Sequence, residues 1–116
     1  MSGISKPQTR NKERTQSAIL AAATDEFAEK GFAGARIEKI AERSGSNKRM
    51  LYYYYGSKEG LYRAVLESAY LSLARAEREL FVDHLPPREA LDEFCRFVWR
   101  YYLEHPEFIG LLNSEN

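Results

Sequence analysis

Apolar residues recur along the chain at spacings of three and four, the period of helices with one buried face, and nowhere alternate as strands require. From Lys12 to Lys30 the positions Ile19, Leu20, Ala23, Phe27 and Ala28 share one helical face. Gly31 stands where a left-handed residue closes such a helix, and Phe32 is placed to meet Phe27, the contact that accompanies a Schellman stop. Ile37 to Ser44 repeats the pattern in miniature, with Ile37, Ile40 and Ala41 inward and Glu38, Lys39, Glu42 and Arg43 outward. Ala35 and Arg36 occupy the place where a Ser or Thr cap is expected, so the start of this helix is poorly signalled. Gly45 supplies the positive φ of a sharp turn into the next helix, and the small Ala41 lets two helices cross closely.

Asn47 is a capping residue for a helix from Lys48 to about Tyr54, in which Leu51 and Tyr55 point inward while Arg49, Met50, Tyr53 and Tyr54 cover the other side. Gly56 breaks it and Ser57 caps a long helix. There Tyr62, Leu66, Ala69, Leu73, Ala76 and Leu80 form a stripe, widened by Leu61 and Val65 and reaching about Phe81. Pro86 and Pro87 open a further helix, with a stripe at Leu91, Phe94, Val98 and Tyr101 and more apolar groups at Cys95, Phe97, Trp99 and Tyr102. A helix apolar on several sides needs covering on several sides. Pro106 ends it, and Phe108, Ile109, Leu111 and Leu112 begin another. The second half thus reads as incomplete, with many aromatic residues and few partners for them.

Composition narrows the class. The 116 residues, 44% hydrophobic and 29% charged, fit a soluble globular chain, and no apolar run approaches the roughly 20 residues of a membrane span. The N-terminus lacks the apolar core of a secretory signal, and the lone Cys95 cannot form an internal disulfide, so the expected location is the cytoplasm. Cys95 itself is expected as a small packed residue. Residues 1–11, with Lys6 and Arg10, read as a flexible basic arm that either lies along phosphate or is solvated. Net charge is zero, yet residues 1–60 carry eleven Lys and Arg against seven Asp and Glu, and residues 61–116 six against ten. A basic half joined to an acidic half suits a reader of an anionic polymer with a separate second module.

No Ser/His/Asp set, glycine-rich phosphate loop or carboxylate cluster points to catalysis, and His84, Cys95 and His105 lack metal-ligand spacing, so no enzyme, cofactor or metal site is expected. Two short helices about a glycine turn, braced by longer ones, are instead the arrangement that lays a second helix in the DNA major groove. The segments ILAAATDEFAEKGF at 19–32, IAERSG at 40–45 and LYYYYGSKEGLY at 51–62 stand in the order and spacing of one family. Residues 12–65 resemble the DNA-binding domain of the TetR (tetracycline repressor) family, and HPEF at 105–108 is less distinctively similar to the opening of its ligand-binding domain.

The resemblance implies an all-α fold: a three-helix helix-turn-helix domain over residues 12–60, then a long linking helix and the first helices of a truncated effector domain over 61–116. It implies a homodimeric repressor of a palindromic double-stranded DNA operator, responsive to a small-molecule effector. By position, Lys48, Arg49, Met50, Tyr53 and Tyr54 match the recognition helix with Asn47 at its cap, Tyr52 and Lys58 match phosphate contacts, Arg36 lies where backbone contacts are common, and Tyr55 replaces a usual core Phe. Ala35 and Arg36 replace a frequent Thr pair, Ser46 a usual Val and Asn47 a usual Ser. Phe94, Trp99 and Tyr102 either line part of an effector pocket or are ordinary core. The alternative is a helical protein-interaction module without DNA binding, using the apolar surface of Phe94, Trp99 and Tyr102.

Overall fold

The structure, a computed structural model, describes residues 7–80 and 83–115, among which six helices and no strand occur. The helices are α1 (Pro7–Gly34), α2 (Ile37–Ser44), α3 (Lys48–Tyr55), α4 (Lys58–Glu79), α5 (Pro87–Glu104) and α6 (Pro106–Glu115). The all-α expectation holds. Helix α1 begins earlier than its apolar period suggests: residues 7–11, expected as part of an arm, are helical, and a proline with fixed φ suits a first helical turn. Residues 1–6 of that arm, and the expected end of α4 at Phe81, lie outside the described residues.

The stops fall where the sequence places them. The run of α1 breaks at Gly31, whose φ of 73° leaves the helical region, and Phe32 stacks on Phe27 with ring centroids 6.1 Å apart. At the end of α2, Gly45 has φ 69°, the Ser46 N–H donates to the Ala41 carbonyl at 2.9 Å, and the Gly45 N–H donates to Glu42 at 3.2 Å. Those two bonds are the Schellman pair, and they turn the chain within a few residues. Asn47 Oδ1 accepts from the Met50 N–H at 2.9 Å and Ser57 Oγ from the Gly60 N–H at 2.9 Å, so α3 and α4 both start on side-chain caps.

The principal core joins Ile19, Ala22, Ala23 and Phe27 of α1 to Ile37, Ile40 and Ala41 of α2, Leu51 of α3, and Leu61 and Val65 of α4. Glu26 is buried on the same face of α1, so the buried stripe is rotated from the expected one: Ala22 and Glu26 lie inside, while Leu20 and Ala28 are half covered. The expected stripe of α4 divides in the same way. Its start buries Leu61 and Val65 in this core, and its later Leu73, Ala76 and Leu80 pack on a second, smaller core of Phe97, Tyr101 and Phe108.

Helix α6 packs chiefly on α1, and its Leu111 enters the first core. The crossing is close at Gly110, where a Cβ would lie 2.6 Å from the Ala28 carbonyl oxygen. The first core therefore draws residues from both sides of the expected division after residue 60.

Candidate nucleic-acid interface

Helix α3 is held from beneath and open above. Leu51 is fully buried, and the half-buried Tyr55 packs on the core and donates its hydroxyl to the Gln16 carbonyl of α1 at 3.4 Å. Burial pushes the Tyr55 phenol above its ordinary range, with Tyr54 adding to the shift, so it remains a neutral donor. On the outer side Arg49 and Tyr53 are exposed, Tyr53 at 72%, while Met50 is half buried. Tyr54 departs from a simple outward position: it is half buried against the core, and its ring meets Tyr53 at 5.2 Å and Tyr55 at 6.4 Å. Tyr54 lies three residues after the buried Leu51, about 60° round the helix from it, and so at the edge of the buried face. Asn47 is exposed, with its Oδ1 engaged as the cap.

Beside α3, the side chains expected at phosphates converge. Arg36, Lys48, Tyr52 and Lys58 line one shallow cleft of about 270 Å³, floored by Ala35 and Ile37 and edged by Glu38. Three cations with one phenol are a suitable grip for a phosphate oxygen, because such contacts need charge and donors rather than shape. Lys58 in the first turn of α4 faces the positive end of the helix dipole, an unfavourable place for a cation. Its ammonium stands 4.8 Å from the centre of the Phe32 ring, and this cation–π contact offsets part of that cost. Phe32 is itself fixed between Phe27 and Tyr62.

Several partners were not legible from the apolar pattern. Lys48 is not an independent cation: its Nζ pairs with Glu38 Oε2 of α2 at 3.2 Å. The Glu38 carboxyl is held below its ordinary range, first by hydrogen bonding from its own backbone N–H and then by Lys48. Arg49 makes no ion pair among the described residues. Arg36 lacks a side-chain cap, as expected, but its N–H donates to the buried Glu26 Oε2 at 3.1 Å. Glu26 also meets Lys30 at 3.2 Å and Arg43 at 3.5 Å, and Arg43 reaches Glu29 at 3.1 Å. The Glu26 signal was present as phase: at 3 from Ala23 and 7 from Ile19 it continues the buried stripe.

The candidate effector residues do not converge. Phe94 packs on Phe97, Tyr102 stacks on Phe108 at 6.0 Å, and Trp99 is 69% exposed. Ordinary core therefore does not describe Trp99 in this chain. Cys95 is also exposed rather than packed. A cavity of about 140 Å³ lies between α1, α4, α5 and α6, lined by Thr24, Ser68, Ser72, Tyr101, His105 and Phe108, none of them among the candidate effector residues. Among the described residues no three metal-ligating side chains gather, and no helix is long and apolar enough to cross a membrane.

A short exposed helix, set across a glycine turn from its brace and flanked by a cationic cleft, defines a helix-turn-helix of the major-groove kind. The family model for bacterial regulatory proteins of the tetR family matches residues 19–65, and the model for a tetracyclin repressor-like C-terminal domain matches residues 87–116. The two cover most of the chain between them, and the chain belongs to the tetR family. It is 48% identical over 104 residues to the HTH-type transcriptional repressor NicS of Pseudomonas putida, covering 90% of this chain and 49% of that protein. It is 39% identical over 98 residues to the HTH-type transcriptional regulator RutR of Escherichia coli, covering 84% and 46%. The crystal structure of a TetR-like transcriptional regulator from a Rhodococcus species aligns with TM-score 0.80 at 28% identity, over 88% of this chain and 56% of that one. The chain spans about half the length of the curated relatives it matches.

Proposed function

We propose that the chain is the DNA-binding portion, with the first effector-domain helices, of a transcriptional repressor that binds a near-palindromic operator as a homodimer in the cytoplasm. The observation that carries this reading is the pairing of an exposed α3 face, Arg49 and Tyr53 with Met50 and Tyr54 at its edges, with the Arg36, Lys48, Tyr52 and Lys58 cleft alongside it. In this reading Arg49 and the outer α3 side chains contact base edges, and Arg36, Tyr52 and Lys58 hold the backbone that sets their register. Two such helices about 34 Å apart, one duplex turn, read the two half-sites. A small-molecule effector acts through the α4–α6 half, where the cavity beside Tyr101 and His105 touches α1 and α4 together.

The test is binding of the intact protein to the promoter next to its own gene. Affinity falls steeply as salt rises, and Arg49→Ala relaxes base preference at one position of each half-site by about 1–3 kcal/mol. Salt-independent binding, or none, overturns the reading. The alternative, a helical interaction module, draws on the exposed Leu91, Phe94, Trp99 and Leu103 of α5. Capture of one stable protein partner with no DNA shift at low salt would favour it.

A further inference from the structure

A carboxylate with no exposed surface is expensive unless its charge is matched and its oxygens are bonded. Glu26 is such a group, and it lies in the core of α1 with no part in the groove or the cleft. Its Oε2 accepts the Arg36 N–H at 3.1 Å and meets Lys30 Nζ at 3.2 Å. Its Oε1 has no hydrogen bond, with Arg43 Nη1 at 3.5 Å as its nearest cation. Arg36 is the residue that opens α2, in extended conformation, and has no side-chain cap of its own. Reaching back to the N–H of a capping residue is the task of the Glu in a capping box, and there the Glu lies three residues further along the same helix. Here a different helix supplies it, ten residues earlier in the chain.

We infer that Glu26 is the positioning residue for the phosphate-binding cleft: it clamps the Arg36 backbone from inside the core, so that the Arg36 side chain is presented outward beside Tyr52 and Lys58. The geometry leaves few alternatives for the carboxylate. It neutralises Lys30 and Arg43, but both are surface cations that water would serve as well, whereas the Arg36 N–H is satisfied by Glu26 alone among the described hydrogen bonds. A negative charge at this end of α2 also suits the helix dipole. The inference rests on the proposed contact of Arg36 with a DNA phosphate.

The experiment is a double-mutant cycle on the intact protein, reading duplex affinity and its salt dependence for Glu26→Gln, Glu26→Asp, Arg36→Ala and each Glu26 variant combined with Arg36→Ala. Thermal unfolding confirms that each is folded at the assay temperature. Arg36→Ala makes the salt slope shallower by about 1.8, one phosphate contact in each of the two half-sites. Glu26→Asp keeps the charge but withdraws the acceptor from the Arg36 N–H, and it weakens binding with the same shallower slope. Combined with Arg36→Ala, neither Glu26 variant weakens binding further, because the side chain it positioned is gone. Additive losses, or wild-type binding by a folded Glu26→Asp protein, overturn the assignment. An unchanged slope in Arg36→Ala alone instead overturns the phosphate contact on which it rests, and the single variant separates the two failures.

Discussion

The two ends of α4 lie in different surroundings. At its start, Leu61 and Val65 are sealed among side chains from α1, α2, α3 and α6, and the large apolar groups there have partners on several sides. Beyond Ala69 the same helix packs on a core reduced to Phe97, Tyr101 and Phe108, while Leu71, Leu91, Phe94, Trp99 and Leu103 remain exposed. The difference teaches what each region requires. A helix presented to DNA must be held to a fixed position, which a closed core provides. A helical layer with one covered face gains less from its aromatic residues, since burial rather than aromatic content stabilises.

That contrast is broken most directly by large-to-small substitution on each side. Phe27→Ala, in the closed core, is expected to lower unfolding free energy by about 3–5 kcal/mol in urea titration. Trp99→Ala, though it removes the larger ring, should change it by less than about 0.5 kcal/mol. Equal losses would erase the distinction. The joint between the regions comes next. Gly110→Ala places a Cβ against the Ala28 carbonyl where α6 crosses α1, and should cost about 1–3 kcal/mol as the two helices separate.

Acid provides a further probe of the closed region. Burial pushes the Glu26 carboxyl up, but the Arg36 N–H, Lys30 and Arg43 more than offset this and hold it below the ordinary carboxylate range. A depressed folded pKa means that Glu26 contributes stability above the unfolded-chain value of about 4.3, lost as pH falls through the lower folded one. Glu26→Gln should flatten that acid limb of a stability-against-pH curve, and an unchanged limb would contradict the account. The smallest effect belongs to the surface pair: Glu38→Gln frees Lys48 and removes a negative charge beside the cleft. Duplex affinity should rise by about two- to threefold at low salt and by less at high salt.

Much of the closed region was legible because its signals are local. The Asn47 and Ser57 caps, the positive φ of Gly31 and Gly45, and the burial of Ile37, Ile40 and Leu51 each depend on a few neighbouring residues. The misreadings arose where a side chain answers to another helix. Nothing local marks Glu26 as buried although its phase lies inside, because its partner Arg36 belongs to a different element. The pairing of Lys48 with Glu38 was not legible because Glu38 is brought to it only by the Gly45 turn. Tyr54 read as outward because helical angle alone does not say how far the core extends. On α5 the period placed Tyr101, which is buried, in the stripe, but it also placed Leu91 and Phe94 there, which are exposed, and left out Phe97, which is buried, because the helix is apolar on several sides.

The proposed function stands on a division of labour in which α3 would read bases and the cleft of Arg36, Tyr52 and Lys58 would hold phosphate. The measurement that tests it most directly is the salt dependence of duplex binding by Lys58→Ala beside the natural protein, on the promoter sequence and on unrelated DNA. The account predicts weaker binding to both by the same factor, with a slope shallower by about two, one phosphate contact per protomer. Loss confined to the promoter sequence, or an unchanged slope, would contradict it.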